Sequence, residues 1–220
     1  MNLKKYAPYA VSLSLLGAGL TAPTVASAEL SANLDLANMY LWRGTNLTPD
    51  GPAISGGLEY GHESGLYAGV WTINETGGHE TDLYVGFGGE AGGFSYDVSY
   101  WAYLYPEDGT APNDGLGDTY LSDIVLSGGM GDFTVTLYIA EETQGAPDAM
   151  YYTFDYTIGS VNLLYGGWDN DAPNSEYSHV QVSYSYSDNL TFAVSVASDD
   201  GAGVEEDPLF LVSYSVPLAD

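Results

Sequence analysis

The residues that could do chemistry are few in kind: three histidines at positions 62, 79 and 179, one arginine at position 43, and thirty Asp and Glu. A serine hydrolase needs a histidine that an acid holds in orientation. His62 and His79 fall in connections between apolar runs, and His179 shares its parity with Gln181 and Ser183 but has no carboxylate at strand spacing. No catalytic site is therefore read, and no enzyme is expected. The acids could offer oxygen ligands to calcium, in three groups: Glu107, Asp108, Asp114 and Asp118; Asp169, Asp171 and Glu176; and Glu205-Glu206-Asp207. None follows the twelve-residue calcium-loop pattern, so solvated charge is the reading and no metal or cofactor is expected. The chain has no cysteine, which excludes thiolate sites and disulfides. Arg43, in the stretch "MYLWRGTNL", has two readings: a clamp that ties its loop down through ion pairs, or a gate on a passage.

Charge narrows the classes further. The formal net charge is −27, which argues against nucleic acid as a partner. Aromatic content of 14% is not that of a disordered chain, so the acidity belongs to a folded surface in salty surroundings, a halophilic adaptation. Lys4 and Lys5 precede a short apolar run, Ala10 to Leu20, and then Ala26-Ser27-Ala28. That order predicts a signal peptide over residues 1–28, removed on export, with residues 29–220 as a single domain. Without Lys4 and Lys5 the charge becomes 1 − 30 = −29, and Arg43 is the one remaining full cation.

The elements that must position these groups are strands. Phe133, Val135, Leu137 and Ile139 alternate with Thr134, Thr136 and Tyr138; Leu190, Phe192, Val194 and Val196 alternate with small or polar residues. Period-2 runs bounded by Gly, Asn and Asp are strands. About twelve are predicted, near 30–42, 52–60, 66–73, 82–88, 94–105, 118–127, 133–140, 150–158, 161–168, 177–187, 190–198 and 208–218. Connections after even strands are tight (Gly61–Gly65, Gly89–Gly93, Gly128–Asp132, Gly159-Ser160, Asp188-Asn189). Those after odd strands are long (Arg43–Gly51, Asn74–Thr81, Pro106–Gly117, Glu141–Ala149, Asp169–Glu176, Asp199–Asp207). A soluble sandwich has no reason to sort its loops by length. An outer-membrane barrel does, with short periplasmic turns and long outer loops. The fold class is thus an all-β, closed antiparallel transmembrane β-barrel of about twelve strands in the cell outer membrane, with outer-membrane lipid as its first partner.

Parity then sorts the side chains. Arg43, Asp35, Glu59, Asp82, Asp97, Asp123 and Asp155 fall on the polar parity and are the pore-lining candidates, although strands three and six have ambiguous parity. Trp42, Trp71, Trp101 and Trp168 all lie near the ends of odd strands, which predicts an outer aromatic girdle. Trp101 shares a parity with Asp97 and so faces inward unless a bulge intervenes, and Asn38, on the lipid parity, points to a bulge or slip before Arg43. A polar interior in a twelve-stranded barrel predicts a narrow, water-filled, cation-preferring passage for small solutes or ions. A barrel with a filled lumen acting as a structural or binding protein is the alternative, and a barrel lipid hydrolase a third.

The stretch "NMYLWRGTNLTPDGPAISGGLEYGHESGLYAGVW" resembles the N-terminal signature of the TorF family of proteobacterial porins, formerly Gcw_chp. The elements that match are Tyr40, Arg43-Gly44, Pro52-Ala53, Gly56-Gly57, His62, Ser64-Gly65, Tyr67, Gly69 and Trp71. "ETDLYVGFGGE" and "YWAYLYP" are similar to later family segments. The resemblance covers the first half of residues 29–220 and implies a porin. It also implies the barrel assembly machinery as a partner. Many such barrels end on an aromatic residue that this machinery reads, whereas this chain ends Val216-Pro217-Leu218-Ala219-Asp220.

Overall fold

In the computed structural model, residues 29–49, 51–76, 78–105, 119–140, 149–170, 176–199 and 202–218 are described. The predicted signal peptide lies outside them, as do Glu107, Asp108, Asp114, Asp118 and Asp171. The chain forms a closed antiparallel barrel of twelve strands. In chain order these are β1 (Glu29–Ala37), β4 (Ala53–Gly61), β5 (Leu66–Glu75), β6 (Gly78–Ala91), β7 (Phe94–Leu104), β8 (Thr119–Met130), β9 (Phe133–Ala140), β10 (Ala149–Ile158), β11 (Val161–Asn170), β12 (Tyr177–Ser185), β13 (Leu190–Asp199) and β14 (Leu209–Ser215). A separate two-stranded hairpin, β2 (Leu41–Trp42) and β3 (Thr45–Asn46), branches from the first connection.

Alternation produces two faces of opposite character. Leu30, Leu34 and Leu36, Ile54 and Leu58, Leu83, Val85 and Phe87, and Phe154 and Tyr156 all stand exposed on the outside. An apolar belt continuous around the wall is unfavourable in water and suits hydrocarbon. On the inside lie Ser55, Ser99, Thr136, Thr153, Gln181, Ser183 and Ser195, all buried. The two ambiguous strands resolve by pairing. Trp71 pairs with Asp82 and Tyr67 with Gly86, so Tyr67, Trp71 and Ile73 face in; Asp123 and Val125 face in on β8.

Neighbouring strands pair in sequence, and tight turns set the register. Gly92 and Gly93 both have positive φ, 64° and 84°, which a two-residue hairpin of the favoured twist requires. The ring closes between β1 and β14. That seam is short: Asp35–Ala37 against Ser213–Ser215, whereas β1 pairs with β4 along its whole length. Asn38 extends the seam with its side chain. Its amide donates to the Phe210 carbonyl (2.8 Å) and its amide oxygen accepts from the Val212 N–H (2.7 Å). Asp35 accepts from the Ser215 hydroxyl across the same join, at 2.6 Å.

Two expectations need correction. The connection at 74–81 is not long: β5 runs to Glu75 and β6 starts at Gly78, so Glu80 belongs to the wall. Polar residues there read as a loop, but Glu80 is buried inside and Asn74 and Thr72 hydrogen-bond along the strand edges. Strand one does not reach residue 42. It stops at Ala37, where Asn38 spends its polar groups on β14 and the chain turns inward.

The apolar core sits inside the barrel. Met39, Tyr40, Leu41 and Trp42 pack with Trp71, Ile73, Trp101, Val125 and Leu211. The first connection therefore fills part of the lumen rather than capping it.

Candidate functional site: a hairpin across the lumen

The turn of the inserted hairpin is Arg43-Gly44, with φ of 46° and 85°. Two successive positive-φ residues make the tight turn that a two-residue hairpin needs, and a non-glycine residue in that region is strained. Gly44 is required there twice over. A Cβ on it would stand 2.6 Å from Cγ of His179 on β12, so the tip rests directly on that ring. The base is closed by Leu47 N–H to the Tyr40 carbonyl (2.8 Å) and Tyr40 N–H to the Thr48 hydroxyl (2.7 Å). It is tied to the β5–β6 turn by Thr76, whose N–H and hydroxyl both donate to the Leu47 carbonyl.

Barrel order places β9 opposite β1. A hairpin that starts beside β1 and touches β8 to β12 has crossed the whole lumen. On the near side Tyr40 donates to Glu80 (2.8 Å) and meets Trp71 edge-on, and Tyr105 also donates to Glu80. Burial, then the Glu80 and Asp82 charges, push the Tyr40 phenol well up, so it remains a donor. On the far side Tyr177 donates to the Arg43 carbonyl at 2.9 Å.

The Arg43 guanidinium is enclosed. Nη2 lies 2.5 Å from Asp123 Oδ2, with both side chains about 7% and 6% exposed. Its central carbon sits 4.5 Å from the Trp42 ring, 4.9 Å from Tyr138, 4.8 Å from Tyr151 and 5.0 Å from Trp168. Burial opposes the charge, but the Asp123 carboxylate outweighs it and raises the pKa, so the cation persists. The same carboxylate oxygen accepts from Tyr103 at 2.9 Å. Tyr138, Tyr151, Trp168 and Tyr177 are direct cross-strand partners in turn, which lines them up as one arc on the wall.

The other predicted residues spread along the lumen. Asp35, Asp82, Asp97 and Asp155 are buried on the inward face, and Glu59 accepts from Tyr84 at 3.0 Å. Asp97 accepts from Tyr67 (2.8 Å), and Asp155 from Thr153 (2.9 Å). Asp82 Oδ1 and Asp97 Oδ1 are buried with no hydrogen-bond partner among the described residues. Asp123 alone of these acids meets Arg43.

The aromatic girdle is corrected. Trp71 and Trp101 are buried inside, Trp101 stacking on Tyr84 at 4.2 Å. Trp168 pairs with the inward Tyr151, and Trp42 packs on Trp168 at 6.0 Å. All four indoles serve the lumen because each lies on the inward parity or on the inserted hairpin; position near a strand end does not fix the face. No bulge turns Trp101 outward.

Sequence reasoning missed Tyr40, Glu80, Tyr103, Tyr138, Tyr151 and Tyr177. Aromatics on the polar parity near the hairpin-facing ends were the available signal. It also missed the surroundings of His179, whose Nδ1 is 3.3 Å from the Ser195 hydroxyl and whose Nε2 is 2.7 Å from the Tyr151 hydroxyl. A phenol, not an acid, takes the second nitrogen, and Ser195 is wholly enclosed. Among the described residues no group of three or more acids and histidines is placed to hold a metal.

The barrel superposes on the KdgM porin with a TM-score of 0.55 and 12% identity, covering 86% of this chain and all of that one. A KdgM porin in complex with disordered oligogalacturonate gives 0.52 and 10%, over 87% and 100%. Outer membrane phospholipase A from Escherichia coli gives 0.45 and 11%, over 86% and 91%. At these identities the likeness is one of fold. A comparison with curated proteins gives no match. Residues 21–201 match the family model described as a bacterial protein of unknown function, Gcw_chp, and by that span the chain belongs to the Gcw_chp family.

Proposed function

We propose that the chain is an outer-membrane channel of the porin type that passes small solutes and prefers cations, with its lumen crossed by the Arg43 hairpin. One observation carries the reading: two buried inward carboxylates, Asp82 and Asp97, each keep an oxygen without a protein partner among the described residues. A buried carboxylate oxygen must be satisfied, and in a lumen water or a passing cation is what can satisfy it. The acids Asp35, Glu59, Glu80, Asp82, Asp97, Asp123 and Asp155 share the interior with one guanidinium, and such a field concentrates cations. The apolar outer belt supports placement in the outer membrane, and the resemblance to TorF porins supports transport. Oligogalacturonate, present in the KdgM complex, is an acidic sugar chain that this interior would repel.

A second reading has its own observation. Thr136, Thr153, Ser195, Val125 and Leu211 on the inner face are essentially inaccessible, as in a filled barrel with a structural or binding role. Planar-bilayer recording of the refolded protein under a salt gradient separates the two. Current steps with a cation-selective reversal potential are expected. A flat trace supports the filled barrel, and anion selectivity refutes the acidic-lumen model.

A further inference from the structure

The contacts around Arg43 come almost entirely from the wall, and the strands that carry them, β7 to β11, pair with one another without the hairpin. Tyr103, Asp123, Tyr138, Tyr151 and Trp168 stand on five consecutive strands, β7 to β11. Only Trp42 arrives with the hairpin itself. We propose that this stretch of wall is a binding site for guanidinium compounds, and that Arg43 fills it as an internal ligand. The proposal deepens the channel reading by naming a solute class, and as a binding site it can be tested without any current.

The chemistry of the site selects its ligand. Three wall rings lie 4.8–5.0 Å from the guanidinium carbon, the distance at which a ring face attracts a delocalised cation. One carboxylate, already accepting from Tyr103, takes an N–H at 2.5 Å. A planar cation with N–H donors meets both demands at once. Sodium or potassium is compact and strongly hydrated and gains little from the rings. Tetramethylammonium could use the rings but has no N–H for Asp123. Guanidinium and small guanidino compounds should therefore bind best.

Arg43 is well suited to be displaced. It is carried on the two-residue turn of a six-residue hairpin, Leu41–Asn46, and among the described residues the tip's remaining polar tie is Tyr177 to its carbonyl. A free guanidino ligand binds the wall only when the tip has withdrawn, so it shifts the hairpin toward the released state by its own affinity. The solute would in this way clear the passage it uses.

The test uses Arg43→Ala and, as a second variant that keeps side-chain length, Arg43→Gln. Each is refolded in detergent with heat-modifiable gel migration as the check on barrel formation. Guanidinium chloride is titrated in the low-millimolar range, with intrinsic tryptophan fluorescence, to which Trp168 of the site contributes, as the readout and sodium chloride at equal ionic strength as the reference. A saturable change is expected in both variants, with half-saturation at least ~10-fold lower than for tetramethylammonium chloride and than for guanidinium on the parent protein. Asp123→Asn added to either variant should weaken binding roughly 10²-fold and move half-saturation out of the titrated range. No saturable change, an equal response to tetramethylammonium, or indifference to Asp123→Asn overturns the proposal. Binding without bilayer current would leave the site standing and remove the channel; current without binding would do the reverse.

Discussion

Asp123→Asn tests the docking of the hairpin, and trypsin reads the result directly. Arg43 is the single tryptic position beyond Lys4 and Lys5, and in the docked hairpin its side chain is buried against Asp123. Removing one partner of a buried ion pair costs about 3–5 kcal/mol, because the other charge is left uncompensated. Two features reduce that figure here. The asparagine carbonyl still accepts from the guanidinium, and the four rings around Arg43 are untouched. The lower end, ~3 kcal/mol, is the better expectation, and it raises the released fraction roughly 10²-fold. When opening is fast compared with cleavage, proteolysis follows that fraction. Trypsin should then cut Arg43–Gly44 on the order of 10² times faster in the variant than in the parent, with the fragments identified by mass. The ties at Thr76, Glu80 and Tyr177 are the same in both proteins, so they cancel. Cleavage of the folded variant at the parental rate, with rapid cleavage after heating, would refute the claim that the Arg43–Asp123 pair holds the hairpin in place.

Asn38→Ala removes both side-chain hydrogen bonds that lengthen the β1–β14 seam; a loss of about 1–3 kcal/mol is expected, seen as a lower temperature for conversion of the compact gel band, and an unchanged temperature would show that the seam does not depend on it. The four inward tryptophans should be quenched weakly by brominated lipids; strong quenching would restore the girdle reading.

The wall was legible because its signal is local. Alternation on runs such as Phe133–Ala140 states which side faces lipid, and tight glycine turns state where the chain reverses. Two neighbouring features misled. At Asn74–Thr81 polar residues look like a loop, but an inward strand position tolerates Glu80 when Tyr40 and Tyr105 can donate to it. The tryptophans cluster near strand ends, but their faces follow parity, and Trp101 already shared its parity with Asp97. The path of the inserted hairpin was not legible, although a clamp on that loop was one of the two readings of Arg43. Its contacts join Arg43 to Asp123, 80 residues on, and to Tyr177, 134 residues on; no periodicity within one strand encodes a segment that leaves the wall. Arg43 as the one cation among acids was readable from composition; the aromatic faces that enclose it became visible only once β9, β10 and β11 were in register.

The short seam acquires a different meaning beside the root of the hairpin. Asp35 and Ser215, which meet across it, are 180 residues apart, so this join closes the largest loop in the chain and must wait for nearly all other pairings. Among the described residues it is also the join of the wall with the fewest paired residues, three against six in the next shortest, β13 with β14. The hairpin leaves the wall at Asn38, at the upper end of that join, and ends on the far strands at Tyr177 and His179. Mechanically it is a cross-brace, anchored at the weakest line of the cylinder and bearing on the opposite side. Withdrawing the tip would therefore slacken the closure itself, and a barrel whose brace is out would part first between its first and last strands.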